Sequence, residues 1–372
     1  MGYGGGGGGG GSGGSGGGYS TVGGGRAFSD DQELPSYEQA PAGAIRFNTD
    51  SNKLEVYIGG PVGYGTLPNG QWMEVDNWSP GNQTGGTRGV QALGAAPGAV
   101  QTTNYFNLDT TGNAASFGDL ANLARFGMGG CASRTRGYIV GGATPGRRSE
   151  IDTLVFSSTG SCTDYGDLSR ASATNSCSSS TRGFSLGGST PSGNSAAIDY
   201  FALESTGSGI DFGDLINTAS GGGGCSSSTR GVYWKSAAPN QIGIEFITMS
   251  TLGNAADFGD KTISRTSLRA CSNSVRGVCA GGFNVPGGSA INNIEYITIA
   301  TLGDAVDFGD MSVNNPGNSQ ACASSTRGVW SGGTDATMQY IQIMSTGNSI
   351  DFGDLTASAS NGAACSNGHG GL

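Results

Sequence analysis

Two short strings recur along this chain and carry much of its ionisable side-chain chemistry. Phe-Gly-Asp, with Tyr once in place of Phe, ends at Asp119, Asp167, Asp214, Asp260, Asp310 and Asp354, and Arg-Gly recurs at Arg88, Arg136, Arg182, Arg230, Arg276 and Arg327. Carboxylates could serve acid-base or calcium chemistry. Regular recurrence argues for architecture instead, because a catalytic site is built once whereas a structural contact is needed in every unit. The repeat Asp and Arg are therefore expected to tie turns to strands through hydrogen bonds or ion pairs. Asp-Phe-Gly-Asp, as at Asp211 and Asp214, lacks the alternating ligands and terminal Glu of a calcium loop.

Cysteines number eight, and six of them hold one repeat position: Cys131, Cys177, Cys225, Cys271, Cys322 and Cys365. On neighbouring strands of a ring their Cα atoms would lie beyond the roughly 7 Å reach of a disulfide. Free, buried thiols are expected, and thiolates spread round a ring cannot converge on one tetrahedral ion. Cys162 and Cys279 fall off the pattern and read as core. His369 is the only histidine, in a glycine-rich tail read as solvated, so neither a histidine metal centre nor a Ser-His-Asp triad can be assembled. The chain is read as a binding or structural protein, not an enzyme, with no cofactor and no metal.

The spacing of these residues defines the elements that carry them. By subtraction the repeat Asp residues lie 48, 47, 46, 50 and 44 apart, within the period of four-stranded propeller blades. Each unit divides into four strand-like pieces, a to d, seen in QACASS before Arg327, RGVCAGG from Arg276, IEYITIAT from Ile294 and VDFGDM from Val306. The c piece alternates with period two and keeps an apolar residue at Leu108, Phe156, Leu203, Met249, Ile299 and Ile343, four residues before a turn glycine. The first unit starts at its b strand, with Gln83 where later units have Cys, and the chain ends on an a-like strand at Ala363 to Cys365. That strand is expected to complete the first blade and so remove free sheet edges. The fold predicted is all-β: a six-bladed propeller over residues 83–372, preceded by a glycine-rich arm (1–27) and a small β module with a linker (28–82).

Loop lengths separate the two faces. Arg follows Cys by a constant five residues in the a-b hairpin, and the turn glycine precedes the repeat Asp by a constant seven in the c-d hairpin; between Arg and that glycine the span is 24, 24, 25, 23, 27 and 20. The a-b and c-d turns share one face of an antiparallel blade, and the b-c and d-a connections share the other. Variation thus collects on the second face, where recognition on a rigid scaffold is usually placed. The candidate binding residues are Arg147, Arg148, Asn194, Asn240, Gln241, Phe283, Asn284, Asn292 and Asp335. Trp234 and Trp330 fall in b strands and read as core.

A formal charge of -10 offers no basic stripe for nucleic acid. No apolar run long enough to cross a membrane occurs, and none is expected to insert. Residues 2–25 are almost pure Gly and Ser and read as a flexible tether. After them, AIRFNTD, NKLEVYIGG and QWMEV read as short strands, the first two joined by a hairpin through residues 49–52.

The run GAIRFNTDSNKLEVYIGG followed by WMEV resembles a short module of bacteriophage tail-fibre and other virion proteins, especially of phages infecting marine cyanobacteria. The strings TLGNAADFGD and CSSSTRG resemble repeats of virion proteins from the same phages, and the apolar b strand ending in Gly-Gly resembles the Kelch type of propeller. These resemblances imply a virion protein located in the virus particle, a tail fibre or appendage presenting the propeller to a host-surface glycan or protein receptor. Its partners would be other virion proteins, held through the N-terminal arm, with room for several copies per particle. A capsid decoration or neck-tail connector protein anchored by the same arm is the alternative.

Overall fold

The computed structural model describes residues 19–20, 43–48, 53–58, 71–74, 86–95, 98–236, 242–312, 318–333 and 335–372. The chain divides into two compact units, Met1–Ser79 and Pro80–Leu372. The tether reading of residues 2–25 and candidate residues Asn240 and Gln241 lie outside the described residues, apart from the short strand Tyr19–Ser20.

In the first unit Tyr19–Ser20, Ile45–Asn48, Lys53–Ile58 and Gln71–Glu74 form one antiparallel sheet in chain order. Asn48 pairs with Lys53, as a hairpin through residues 49–52 requires. The Arg46 guanidinium donates to Glu55 at 2.5 Å across the central strands.

The second unit is a six-bladed β-propeller of antiparallel four-stranded sheets. In order a, b, c, d, blade 1 is Ala363–Ser366, Arg88–Ala92, Thr102–Asn107 and Ala115–Asp119. Blade 2 is Gly129–Ala132, Arg136–Val140, Glu150–Val155 and Thr163–Asp167. Blade 3 is Ala173–Ser178, Arg182–Thr190, Gly193–Ala202 and Ile210–Ala219. Blade 4 is Gly223–Ser226, Arg230–Trp234, Gly243–Thr248 and Ala256–Asp260. Blade 5 is Arg269–Ser272, Arg276–Ala280, Asn293–Thr298 and Val306–Asp310. Blade 6 is Gln320–Ala323, Arg327–Ser331, Thr337–Gln342 and Ile350–Asp354. The C-terminal strand pairs with the first b strand, Cys365 opposite Val90, and closes the ring.

The a strands neighbour one another around the axis, and the core lies between blades. All eight cysteines are free and buried. A repeat cysteine packs against the glycine of the next blade's Arg-Gly: a Cβ on Gly231 would come within 2.9 Å of Cys177 Sγ, and one on Gly277 within 2.9 Å of Cys225 Sγ. Glycine follows arginine because the thiol, or a ring such as Phe201 at Gly183, fills the place a side chain would take. Burial pushes the thiols up, to about 12 for Cys225, Cys279 and Cys322. Trp234 and Trp330 are fully buried.

The repeat Arg and Asp join blade to blade by means the sequence only partly disclosed. Arg182 lies 5.1 Å over Tyr200, Arg230 4.9 Å over Phe246, Arg276 4.4 Å over Tyr296 and Arg327 4.6 Å over Tyr340. Each donates onward to the carbonyl ending a c strand of the following blade, respectively Met249 (3.1 Å), Ile299 (2.8 Å), Ile343 (3.1 Å) and Leu108 (3.3 Å). Arg88 does the same over Tyr105 and to Phe156 O. Blade 2 carries Thr153 at the ring position, Arg136 is exposed, and the Tyr138 hydroxyl donates to Leu203 O in its place.

The six Asp side chains are exposed. Asp167 Oδ1 accepts from Ser149 Oγ at 2.9 Å, but in four of the six it is the main chain that reaches the next blade: Asp214, Asp260, Asp310 and Asp354 donate their N–H to Asn254, Asp304, Asn348 and Asn113 of the next c-d turn at 2.9–3.0 Å. Their carbonyls accept from Ala255, Ala305, Ser349 and Ala114 in the same turns. The preceding glycine has a positive φ, 148° at Gly259, and a Cβ there would collide with the Gly303 carbonyl. Phe-Gly-Asp is thus a docking strip for the neighbouring turn.

Candidate functional site

The face carrying the a-b turns is sealed. Ser133, Ser179, Ser227 and Ser324 each accept the N–H of the repeat Arg three residues on, at 3.1–3.2 Å, and Asn273 does so at 2.8 Å. Asn367 supplies the same acceptor to Arg88 N at 2.9 Å, although no covalent turn joins them. Below these turns, Ser178, Ser226 and Ser272 hydroxyls donate to Ala132, Ser178 and Ser226 carbonyls of the preceding blades at 2.7–2.8 Å.

The tail then enters the channel, contrary to the solvated tail expected. His369 Nε2 lies 2.9 Å from Ala132 O and 3.2 Å from Ser178 Oγ, while Nδ1 accepts the Gly371 N–H at 3.1 Å. Gly370 N donates to Ser272 O at 2.9 Å, and Leu372 is buried. Nε2 faces a carbonyl and must carry the proton; Nδ1 faces a donor and must carry a lone pair. The ring is held neutral, and burial lowers its pKa to about 4.

The opposite face opens into an axial funnel of about 300 Å³. Its wall includes the residue four before each repeat cysteine, in turn Gly127, Ala173, Gly221, Ser267, Asn318 and Asn361, so every blade contributes. Three of these are the described non-glycine residues of positive φ: Ser267 (57°), Asn318 (80°) and Asn361 (53°). Main-chain bonds join them around the rim, from Gly127 N to Asn361 O (2.5 Å), Asn361 N to Asn318 O (2.8 Å) and Asn318 N to Ser267 O (3.2 Å).

Arg147, on the b-c loop of blade 2, reaches the funnel and donates to Ser189 Oγ at 2.8 Å. Arg269 lies deeper, on the a strand of blade 5, its Nη1 donating to the carbonyls of Leu268 (2.9 Å) and Gly222 (3.2 Å). Burial lowers its pKa to about 10. Among the described residues neither arginine forms an ion pair and no carboxylate lines the funnel.

The other described candidates stay outside this wall. Arg148 lies 3.6 Å from Glu150, and Asn194 is exposed beside the two-residue turn of the long blade 3 hairpin. Phe283 and Asn284 form a ribbon with Arg265–Thr266, and the Asn284 carboxamide accepts Ser289 N at 2.8 Å within its own loop. Asn292 O accepts Met311 N, and exposed Asp335 accepts Thr337 N at 3.0 Å.

A second set of polar residues went unread in the sequence. Asn104, Asp152, Asp199, Glu245, Glu295 and Gln339 sit at one c-strand position, and their side-chain oxygens accept the N–H of Thr356, Ala121, Ser169, Ile216, Thr262 and Ser312, each two residues past a repeat Asp. Where this residue is an acid a cation answers it: Arg125 at 3.0 Å from Asp152, Arg170 at 2.6 Å from Asp199, Lys235 at 3.3 Å from Glu245, and Arg265 on Glu295. Their constant offset of eight residues before the turn glycine was the available signal. Lys261 is enclosed beside this last pair, donating to Lys235 O and Arg265 O, and burial lowers it to about 8.

Among the described residues no group of three or more His, Cys, Asp or Glu could hold a metal ion. Neither protein-family models nor curated proteins give a match to this chain. The fold is that of a six-bladed β-propeller. Its accessible chemistry is a polar funnel bearing two guanidinium groups, on the face whose loops vary.

Proposed function

We propose that this chain is a non-catalytic recognition protein whose propeller presents its loop-bearing face to a ligand. The observation carrying this reading is the asymmetry of the two ends: one is closed by uniform turns and the C-terminal plug, the other holds the variable loops and the open funnel. The single histidine is committed to the plug with both ring nitrogens bonded, which removes it from acid-base service.

The setting we propose is a bacteriophage particle, with the chain in a tail fibre or related appendage, Kelch-like in its blades and attached through its N-terminal segment. Support comes from the GAIRFNTDSNKLEVYIGG module and the TLGNAADFGD and CSSSTRG strings. Electron microscopy of particles carrying this chain tests the setting: propellers on appendages with the loop face outward are expected. Propellers on the capsid or neck with that face turned into the particle would replace this reading by that of a decoration or connector protein. Labelled full-length chain should also bind host cells, and blocking the loop face with an antibody fragment should abolish that binding.

A further inference from the structure

The funnel combines features that a channel mouth does not need for packing. Its rim uses backbone conformations unfavourable for Ser267 and tolerated by Asn318 and Asn361, and such outliers persist where the surrounding structure over-determines them, often at binding sites. Most of its lining residues are Ser, Thr, Asn or Gly, which offer hydrogen-bonding groups to a hydrophilic ligand; pockets for apolar ligands are lined chiefly by apolar and aromatic residues. Phe126 gives one partly exposed ring at its edge. The charge is the decisive feature. In a chain of net charge -10, two arginines face one cavity whose wall, among the described residues, holds no carboxylate. Among the described residues each is oriented by neutral acceptors, Arg147 by Ser189 and Arg269 by two carbonyls. A guanidinium held in this way keeps donors free for a bidentate anion.

We propose that the funnel binds an acidic saccharide, a sugar ring carrying a carboxylate or a sulfate ester. Arg147 and Arg269 take the anionic group, the Ser267, Asn318 and Asn361 side chains take ring hydroxyls, and Phe126 covers an apolar sugar face. Binding is reversible and involves no bond making or breaking. The assignment rests on reading this face as the recognition face and adds the ligand class to it.

Calorimetric titration of the full chain tests it with three probes: a uronate-terminated oligosaccharide, its sulfated counterpart and its neutral counterpart. At least one acidic probe is expected to bind, with the neutral one weaker by about tenfold or more, the scale of a lost charge-assisted hydrogen bond. The two acidic arms show whether carboxylate or sulfate is preferred. Arg269→Gln and Arg147→Gln should each lower affinity by about tenfold or more, while Arg136→Gln, exposed on the opposite face, should leave it unchanged. Thermal transitions monitor folding, and partly exposed Arg147 supplies the second variant should Arg269→Gln fail to fold. Equal binding of neutral and acidic probes, no binding of either acidic probe, or full affinity in a folded Arg147→Gln or Arg269→Gln protein would overturn the assignment. Host-cell binding that acidic saccharides do not compete would sink it while leaving the recognition reading intact. Saccharide binding at the funnel without any cell binding would do the reverse.

Discussion

Single side chains in this propeller are valued for what they bond across a blade boundary. At the c-strand capping position an oxygen acceptor is indispensable and its charge is not, since Asn104 and Gln339 do with an amide what Glu295 does with a carboxylate. Removing the charge where a cation has been buried beside it is another matter. Glu295→Ala should cost about 3 to 5 kcal/mol, because Arg265 loses its carboxylate partner where both side chains are fully buried. Gln339→Ala, which takes an acceptor from the neutral donors of Ser312 and Ser349, should cost about 1 to 3 kcal/mol. Urea denaturation midpoints would compare them, and equal losses would count against the role given to the buried charge. His369 supplies a pH test. Its folded pKa of about 4 lies below the ordinary 6.5, so the folded form binds fewer protons than the unfolded form between those values. The stability it contributes is therefore complete above about pH 6.5 and is lost as pH falls toward 4. Thermal midpoints should drop over this window, and His369→Asn should flatten that part of the profile. The eight thiols should all titrate after denaturation without reductant and react slowly in the native protein, where burial raises their pKa.

At the scale of strands and turns, the period, the four strands per unit and the ring closure were legible, because alternation, turn glycines and constant a-b and c-d spacings are local properties of the chain. What escaped was position-specific and non-local. The c-strand caps were invisible as a motif because Asn, Asp, Glu and Gln share an oxygen and little else. Arg269 was missed because other units place Gly129, Asn175, Gly223, Gln320 and Ala363 at its position, so nothing repeats. Only Arg147 of the two funnel arginines was singled out, from its loop. The tail was misread because glycine near a terminus suggests solvation, whereas Gly370 and Gly371 are where side chains would strike the inner-strand carbonyls. The docking glycines give the element-scale prediction. Gly259→Ala, with a positive φ and the next turn's carbonyl against it, should cost about 2 kcal/mol or more. Gly146→Ala, in open space on a loop, should stay within about 0.5 kcal/mol. Chemical denaturation of both would decide; a silent Gly259→Ala would mean that the turn can yield.

For the molecule as a whole, closure and plugging are separable. Deleting residues 368–372 removes the plug but leaves Ala363–Ser366 paired with the first b strand, and a cooperative transition should survive. Deleting residues 361–372 removes an inner strand as well. The loss of several buried side chains at about 1.5 to 3 kcal/mol each is then a large share of a typical total of about 5 to 15 kcal/mol, so aggregation is expected. A chain lacking residues 361–372 that melts like the intact one would contradict the closure seen here.

The same closing strand has a consequence in time. Arg88 meets Asn367 across 279 residues of sequence, so the blade that holds the first propeller strands is the last to be finished. During synthesis five sheets can assemble in succession from neighbouring segments, while blade 1 waits with three strands and an unpaired edge. Joining such distant segments must overcome a large loop-closure entropy, which places the final step among slow, non-local folding events. A nascent chain stalled before residue 363 would present that edge to its neighbours on the same message. Ribosome-bound intermediates of this protein should therefore recruit chaperones late, and release them only when the last strand has emerged.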